Sequence, residues 1–140
     1  MTDLLRPGHC RSRGFVLGCL VATVALGLLS RRYPLPGFLA EYAGDALYTV
    51  AVFWAAALVW PAWSGGRLAI LAAAFSTVVE MSQLCSVGWL DDLRATRFGA
   101  LVLGQGFQWE DLLAYAVGAA AAWGSDGLFR ALAPGRRSAR

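Results

Sequence analysis

Residues 68–87 read LAILAAAFSTVVEMSQLCSV, an apolar run of twenty residues broken by one ionisable side chain, Glu80, and one amide, Gln83. Coiled as an α-helix at about 1.5 Å per residue, such a run is about 30 Å long, the thickness of the hydrocarbon layer of a membrane. Ser76, Glu80 and Gln83 are spaced four and three apart, so on a helix they form one polar stripe on an otherwise apolar cylinder. A charged group at that depth is costly in lipid. The spacing therefore predicts a membrane span whose polar stripe turns inward onto other helices.

Three further apolar runs flank this one. Residues 14–29 follow a tail containing Arg6, Arg11 and Arg13; no small-residue cleavage site follows, so the segment reads as a retained, rather short first span. Residues 45–63 form the second run and residues 112–132 the fourth, with the quoted stretch third. The connections carry helix breakers: Pro34, Pro36 and Gly37 after the first run, and Pro61, Gly65 and Gly66 after the second. Trp60, Trp63, Trp89 and Trp109 fall near run ends, where aromatic side chains settle at a membrane surface. Residues 98–107, FGALVLGQGF, are too short to cross and too apolar for an ordinary exposed loop, which predicts a re-entrant or interfacial segment before the last span. The expected fold is an all-α integral membrane protein, a bundle of four transmembrane helices forming a single domain over residues 1–140.

Composition narrows the chemistry. The chain is 58% hydrophobic and 15% charged, far from the soluble average, and contains no Lys. Its twelve basic residues are all Arg, and the net charge of +3 comes with no clustered basic face or motif for nucleic acid. Cys10, Cys19 and Cys85 have neither zinc-site nor redox-pair spacing and read as small apolar fillers. His9, the one histidine, sits in the basic tail, so neither a metal site nor a cofactor is expected. The arginines also predict orientation. The N-terminal tail, the second connection and the C-terminal tail (Arg130, Arg136, Arg137, Arg140) carry eight; the first and third connections (Arg31, Arg32, Arg94, Arg97) carry four. Basic residues stay on the cytoplasmic side, so both termini are expected there, in a bacterial inner membrane.

On that topology the acids gather at one end. Glu80 lies thirteen residues beyond Arg67, in the outer half of the third span. Asp45 opens the second span with Tyr48 and Thr49 above it, and Glu110 and Asp111 open the fourth, with Tyr115 and Gly118 continuing the Asp111 face. Asp45, Glu80 and Asp111 are expected to converge at the outer interface, with Gln83 and Tyr115 beside them and Arg94 or Arg97 reaching the same place from the third connection. Asp91 and Asp92 lie close enough to these arginines to pair locally, and Asp126 and Arg130, four apart, read as a helix-end pair. The convergence admits three meanings: a structural network tying helix ends together, a polar pocket for an anionic ligand such as a lipid headgroup, and an ion or proton path.

The ordered segments YAGDALY (residues 42–48), EMSQL (80–84), LRATRFG (93–99) and LGQGFQWEDL (103–112) resemble the bacterial membrane family called domain of unknown function 2809, over roughly residues 27–126. The order of Glu80, Gln83, Arg94 or Arg97, Asp111 and Gly118 also resembles, more loosely, the VanZ-like family, with Tyr115 where that family tends to carry Asn. VanZ-like proteins are associated with glycopeptide-antibiotic tolerance, so this second resemblance implies an external setting among cell-envelope lipids. Neither family brings an established reaction.

Three functions compete on this reading. The first is a binding module for an anionic envelope lipid or lipid-linked precursor. The second is a hydrolase or transferase acting on a lipid-linked phosphate with Asp45, Glu80 or Asp111 as acid or base, although no nucleophile or metal motif accompanies them. The third is an accessory subunit whose small-residue stripe, Gly118 to Ala122, docks against a membrane protein partner.

Overall fold

The computed structural model describes residues 11–33, 36–104 and 106–132, the side chains of 38–41 excepted. Arg6, His9, Cys10, Pro34, Arg136, Arg137 and Arg140 lie outside the described residues, as do Leu35 and Gln105. Within them the chain is all-helical, with six helices and no strand: α1 (Arg13–Arg32), α2 (Phe38–Val59), α3 (Gly65–Ser82), α4 (Gly88–Ala95), α5 (Arg97–Leu103) and α6 (Trp109–Leu132). Two helical stretches, Arg13–Arg32 and Tyr42–Val59, are long and apolar enough to cross a membrane. α3 and α6 have 18 and 24 residues and are long enough by rise alone.

Local chemistry sets the ends. α2 starts seven residues before the expected Asp45, directly after Gly37, whose φ of 64° turns the chain into the helix. It stops at Val59 because Trp60 precedes Pro61 and leaves helical geometry, with φ −120° and ψ 66°. Ser64 caps α3 by accepting a hydrogen bond from the Arg67 amide at 3.3 Å. α3 ends at Ser82, five residues before the expected limit, and the polar residues that follow lead into α4, an amphipathic helix that the apolar pattern does not announce. Of the apolar stretch at 98–107, residues 98–103 are helical. Thr96 caps α5, with the Gly99 amide donating to its Oγ1 at 2.9 Å, and Gly104 and Gly106 close it at φ 67° and 89°.

α2 is the central element, packed against α1, α3 and α6, while α3 also meets α6. The contact between α2 and α6 is close because Gly118 faces the backbone of Ala46, where no Cβ fits. Ala119 and Ala122 continue that face into a core shared with Phe53, Trp54, Ala57, Leu68 and Ala72. The stripe read as a docking face is therefore used inside the chain, while Ala120 and Ala121 face outward. The molecule's surface is apolar: Leu113 is 72% exposed and Val117 64%, with Ile70, Val78, Phe98 and Leu128 similarly bare. Its interior holds Thr49, Ser76, Glu80, Arg94, Asp111 and Asp126.

Candidate functional site

Because the long helices alternate in direction, the start of α2, the end of α3 and the start of α6 share one end of the bundle. A cavity of about 310 Å³ opens there. Glu80 forms its anchored wall. It is 1% exposed, and its carboxylate accepts three hydrogen bonds: from Gln83 Nε2 at 2.9 Å, the Gln108 backbone amide at 2.8 Å and Tyr115 Oη at 2.8 Å. These donors come from the end of α3, the turn before α6 and the body of α6, so one carboxylate ties three parts of the chain. All three are neutral. Glu80 is held by hydrogen bonding, with no arginine among its partners within the described residues.

Asp45 and Asp111 line the same cavity with Tyr48, Gln83 and Tyr115. Tyr115 lies within electrostatic reach of all three acids. Below them Thr49 Oγ1 donates to Ser76 Oγ at 3.0 Å, extending the polar contact between α2 and α3 towards the core. α5 and its turn form the remaining wall through Ala100, Leu101 and Gly104. At Gly104, positive φ coincides with tight space, since a Cβ would stand 2.6 Å from Gln83 Nε2. Among the described residues no three His, Cys, Asp or Glu side chains are grouped so as to hold a metal ion.

The arginines differ from expectation. Arg94 and Arg97 are not among the described residues lining the cavity. Arg94 is buried and turned to the end of α3: it donates to the Ser82 carbonyl at 2.7 Å and the Cys85 carbonyl at 3.3 Å, and pairs with Asp91 at 3.2 Å. Carbonyls left over at a helix end attract such a cation. Arg97 begins α5 and is exposed. The arginine at the cavity is Arg31, from the end of α1, within electrostatic reach of Asp45. Arg31, Tyr48 and the Gln108 amide were absent from the residues expected at the site. Tyr48, one turn after Asp45, carried a signal in its spacing; Arg31 carried one only in its expected place on the same side as the acids, and a backbone amide carries none.

The opposite end holds a second charged assembly. Arg11 grips Asp126 with two bonds, Nε to Oδ1 at 2.6 Å and Nη2 to Oδ2 at 2.7 Å, and its Nη1 donates to the carbonyls of Pro61 and Trp63 at 3.0 and 2.8 Å. Arg130 approaches the same carboxylate at 3.0 Å. The helix-end pair of Asp126 and Arg130 is thus part of a clamp joining the segment before α1, the α2–α3 connection and α6.

These features define an all-helical bundle, apolar outside, with an acid-lined cavity at one end and a charge clamp at the other. The family described as Protein of unknown function (DUF2809) matches residues 34–119, and the chain belongs to that family. The matched range contains every cavity residue named above except Arg31, while the clamp residues Arg11, Asp126 and Arg130 lie outside it. No solved structure matches the chain.

Proposed function

We propose that this protein is a four-span membrane protein, with α1, α2, α3 and α6 crossing the bilayer, that binds the polar headgroup of an envelope lipid in the cavity. The observation that carries this reading is the reversed distribution of side chains. Large apolar residues cover the outside, and the buried Glu80 and Asp111 with the half-buried Asp45 line a cavity of about 310 Å³, a size typical of small-ligand sites. In water such a surface would aggregate; in lipid it is the solvated face, and ionisable groups belong in the bundle interior. Exposed Trp60 at one end and Trp89 and Trp109 at the other suit the two membrane surfaces. The arginine asymmetry supports a topology with both termini in the cytoplasm and the cavity on the outer side.

The arginines that motivated an anionic ligand are not among the described residues lining the cavity, so headgroup binding stands here on the cavity's hydrogen-bonding groups. Of the stripe that motivated the accessory-subunit reading, Gly118, Ala119 and Ala122 are buried within the chain, while Ala120 and Ala121 face outward. Glu80 acts as a positioning residue that fixes Gln83, the Gln108 amide and Tyr115. Glu80→Gln, nearly isosteric, strands no arginine but sets an amide N–H against donors, a mismatch of about 1–3 kcal/mol. The variant should fold and insert yet lose the lipid that the wild type retains through detergent washing, read as lipid per folded molecule by native mass spectrometry. Undiminished lipid in a folded Glu80→Gln protein would contradict the reading.

A further inference from the structure

The connection between α3 and α6 holds two short helices that stand beside the bundle. α4 and α5 have 8 and 7 residues, about 12 and 10 Å of rise, so neither can cross a membrane. They pack on each other, and neither makes more than a marginal contact with a long helix among the described residues. Polar bonds fix their level. Arg94 of α4 donates to the Ser82 and Cys85 carbonyls, which holds α4 where α3 ends, and the chain after α5 returns to α3 through the Gln108 amide bonded to Glu80.

The flanks of α4 differ. Leu90 and Arg94, four apart, turn inward, the first half-buried and the second buried; Trp89 and Leu93, also four apart, are bare; Asp91 and Asp92 are exposed around the rest of the helix. Trp89 is 68% exposed, and Phe98 at the start of α5 is 75% exposed. Leu84 and Val87, on the way from α3, are exposed too. The patch is small for a stable protein partner: these side chains offer about 600 Å² at most, short of the ~800 Å² per side of a standard interface. Lipid suits it by continuity. α6 begins at the same level with exposed Trp109 and carries exposed Leu113 one turn on, so the apolar exterior of the long helices starts where α4 lies.

Resting on the four-span reading, we propose that α4 and α5 lie along the membrane surface at the cavity end. Trp89, Leu93 and Phe98 sit among the lipids at the boundary of headgroups and acyl chains, and Asp91 and Asp92 stay in water. A short helix with one apolar and one charged flank settles at that boundary. α5 also lines the cavity through Ala100, Leu101 and Gly104, so the seated pair holds that wall of the cavity at headgroup level.

The test places nitroxide labels singly in the full chain without its native cysteines, reconstituted in vesicles of phosphatidylcholine and phosphatidylglycerol. Collisions are measured with oxygen, which concentrates in lipid, and with a water-soluble nickel chelate. Labels at Trp89→Cys, Leu93→Cys and Phe98→Cys should favour oxygen, and the label at Asp92→Cys should favour nickel. The three apolar positions are read independently, so a variant that fails to fold leaves the others to decide. Nickel preference at all three, with oxygen preference at Val117→Cys on α6, would overturn the docking and leave the four-span reading standing. Nickel preference at Val117→Cys as well would overturn both. Few collisions with either agent at the three positions would mean cover by protein, whether a second copy or another chain, and would also overturn docking on lipid.

Discussion

At the scale of single residues, Glu80 organises the cavity end of the molecule through neutral donors, with no ion pair among the described residues. A buried carboxylate is tolerated when its oxygens are filled, and here Gln83, Gln108 and Tyr115 fill them. Tyr115→Phe removes one donor and leaves two, so it should lower stability by about 1–2 kcal/mol, the range for a hydrogen bond to a charged acceptor moderated by the modest values found inside membrane bundles. Thermal or denaturant unfolding in detergent measures it, and unchanged stability would show that the bond contributes nothing. Much of this site was legible in the sequence because helical spacing is a local property. Glu80 and Gln83 share a face by count alone, as do Asp111 and Tyr115. The arginines were not legible, because a long flexible side chain can reach carbonyls that belong to the tertiary path: Arg94 finds those of Ser82 and Cys85, and nothing in its neighbours announces that.

Among elements, the clamp at the far end shows how much of the bundle's closure lies outside its apolar core. Arg11 and Asp126 are both buried and make two mutual bonds, whereas Arg130 is partly exposed to its surroundings. Removing the buried partner leaves Asp126 with a weaker neighbour and leaves the Trp63 and Pro61 carbonyls only their long bonds from Arg130 and the residue 11 amide, at 3.4 and 3.5 Å. Arg11→Met should therefore cost about 3 kcal/mol or more, and Arg130→Met about 1 kcal/mol or less. Unfolding measurements on the two variants check the order, and equal losses would contradict the clamp. The sequence placed the four long helices to within several residues, since apolar runs and breakers such as Pro61 act locally. It missed α4, too short and polar to show as an apolar run, and it counted Arg11 only as a tail charge because its partner is 115 residues away.

For the whole molecule, the central claim is that its apolar exterior faces lipid and that the acid-lined cavity opens on the outer side of the membrane. Single cysteines in a background lacking Cys10, Cys19 and Cys85 distinguish this from a water-exposed bundle. Val117 is 64% exposed on the body of α6 and Gln108 is exposed at the cavity turn, so both would react with a maleimide if the molecule stood in water. The decisive measurement is labelling of Val117→Cys, Gln108→Cys and Leu132→Cys by a membrane-impermeant maleimide, in intact and in permeabilised cells. The account predicts that Gln108→Cys labels in intact cells, Leu132→Cys only after permeabilisation, and Val117→Cys in neither until the protein is denatured. Ready labelling of Val117→Cys in permeabilised cells would contradict the membrane bundle, and labelling of Leu132→Cys in intact cells with Gln108→Cys protected would place the cavity on the inner side.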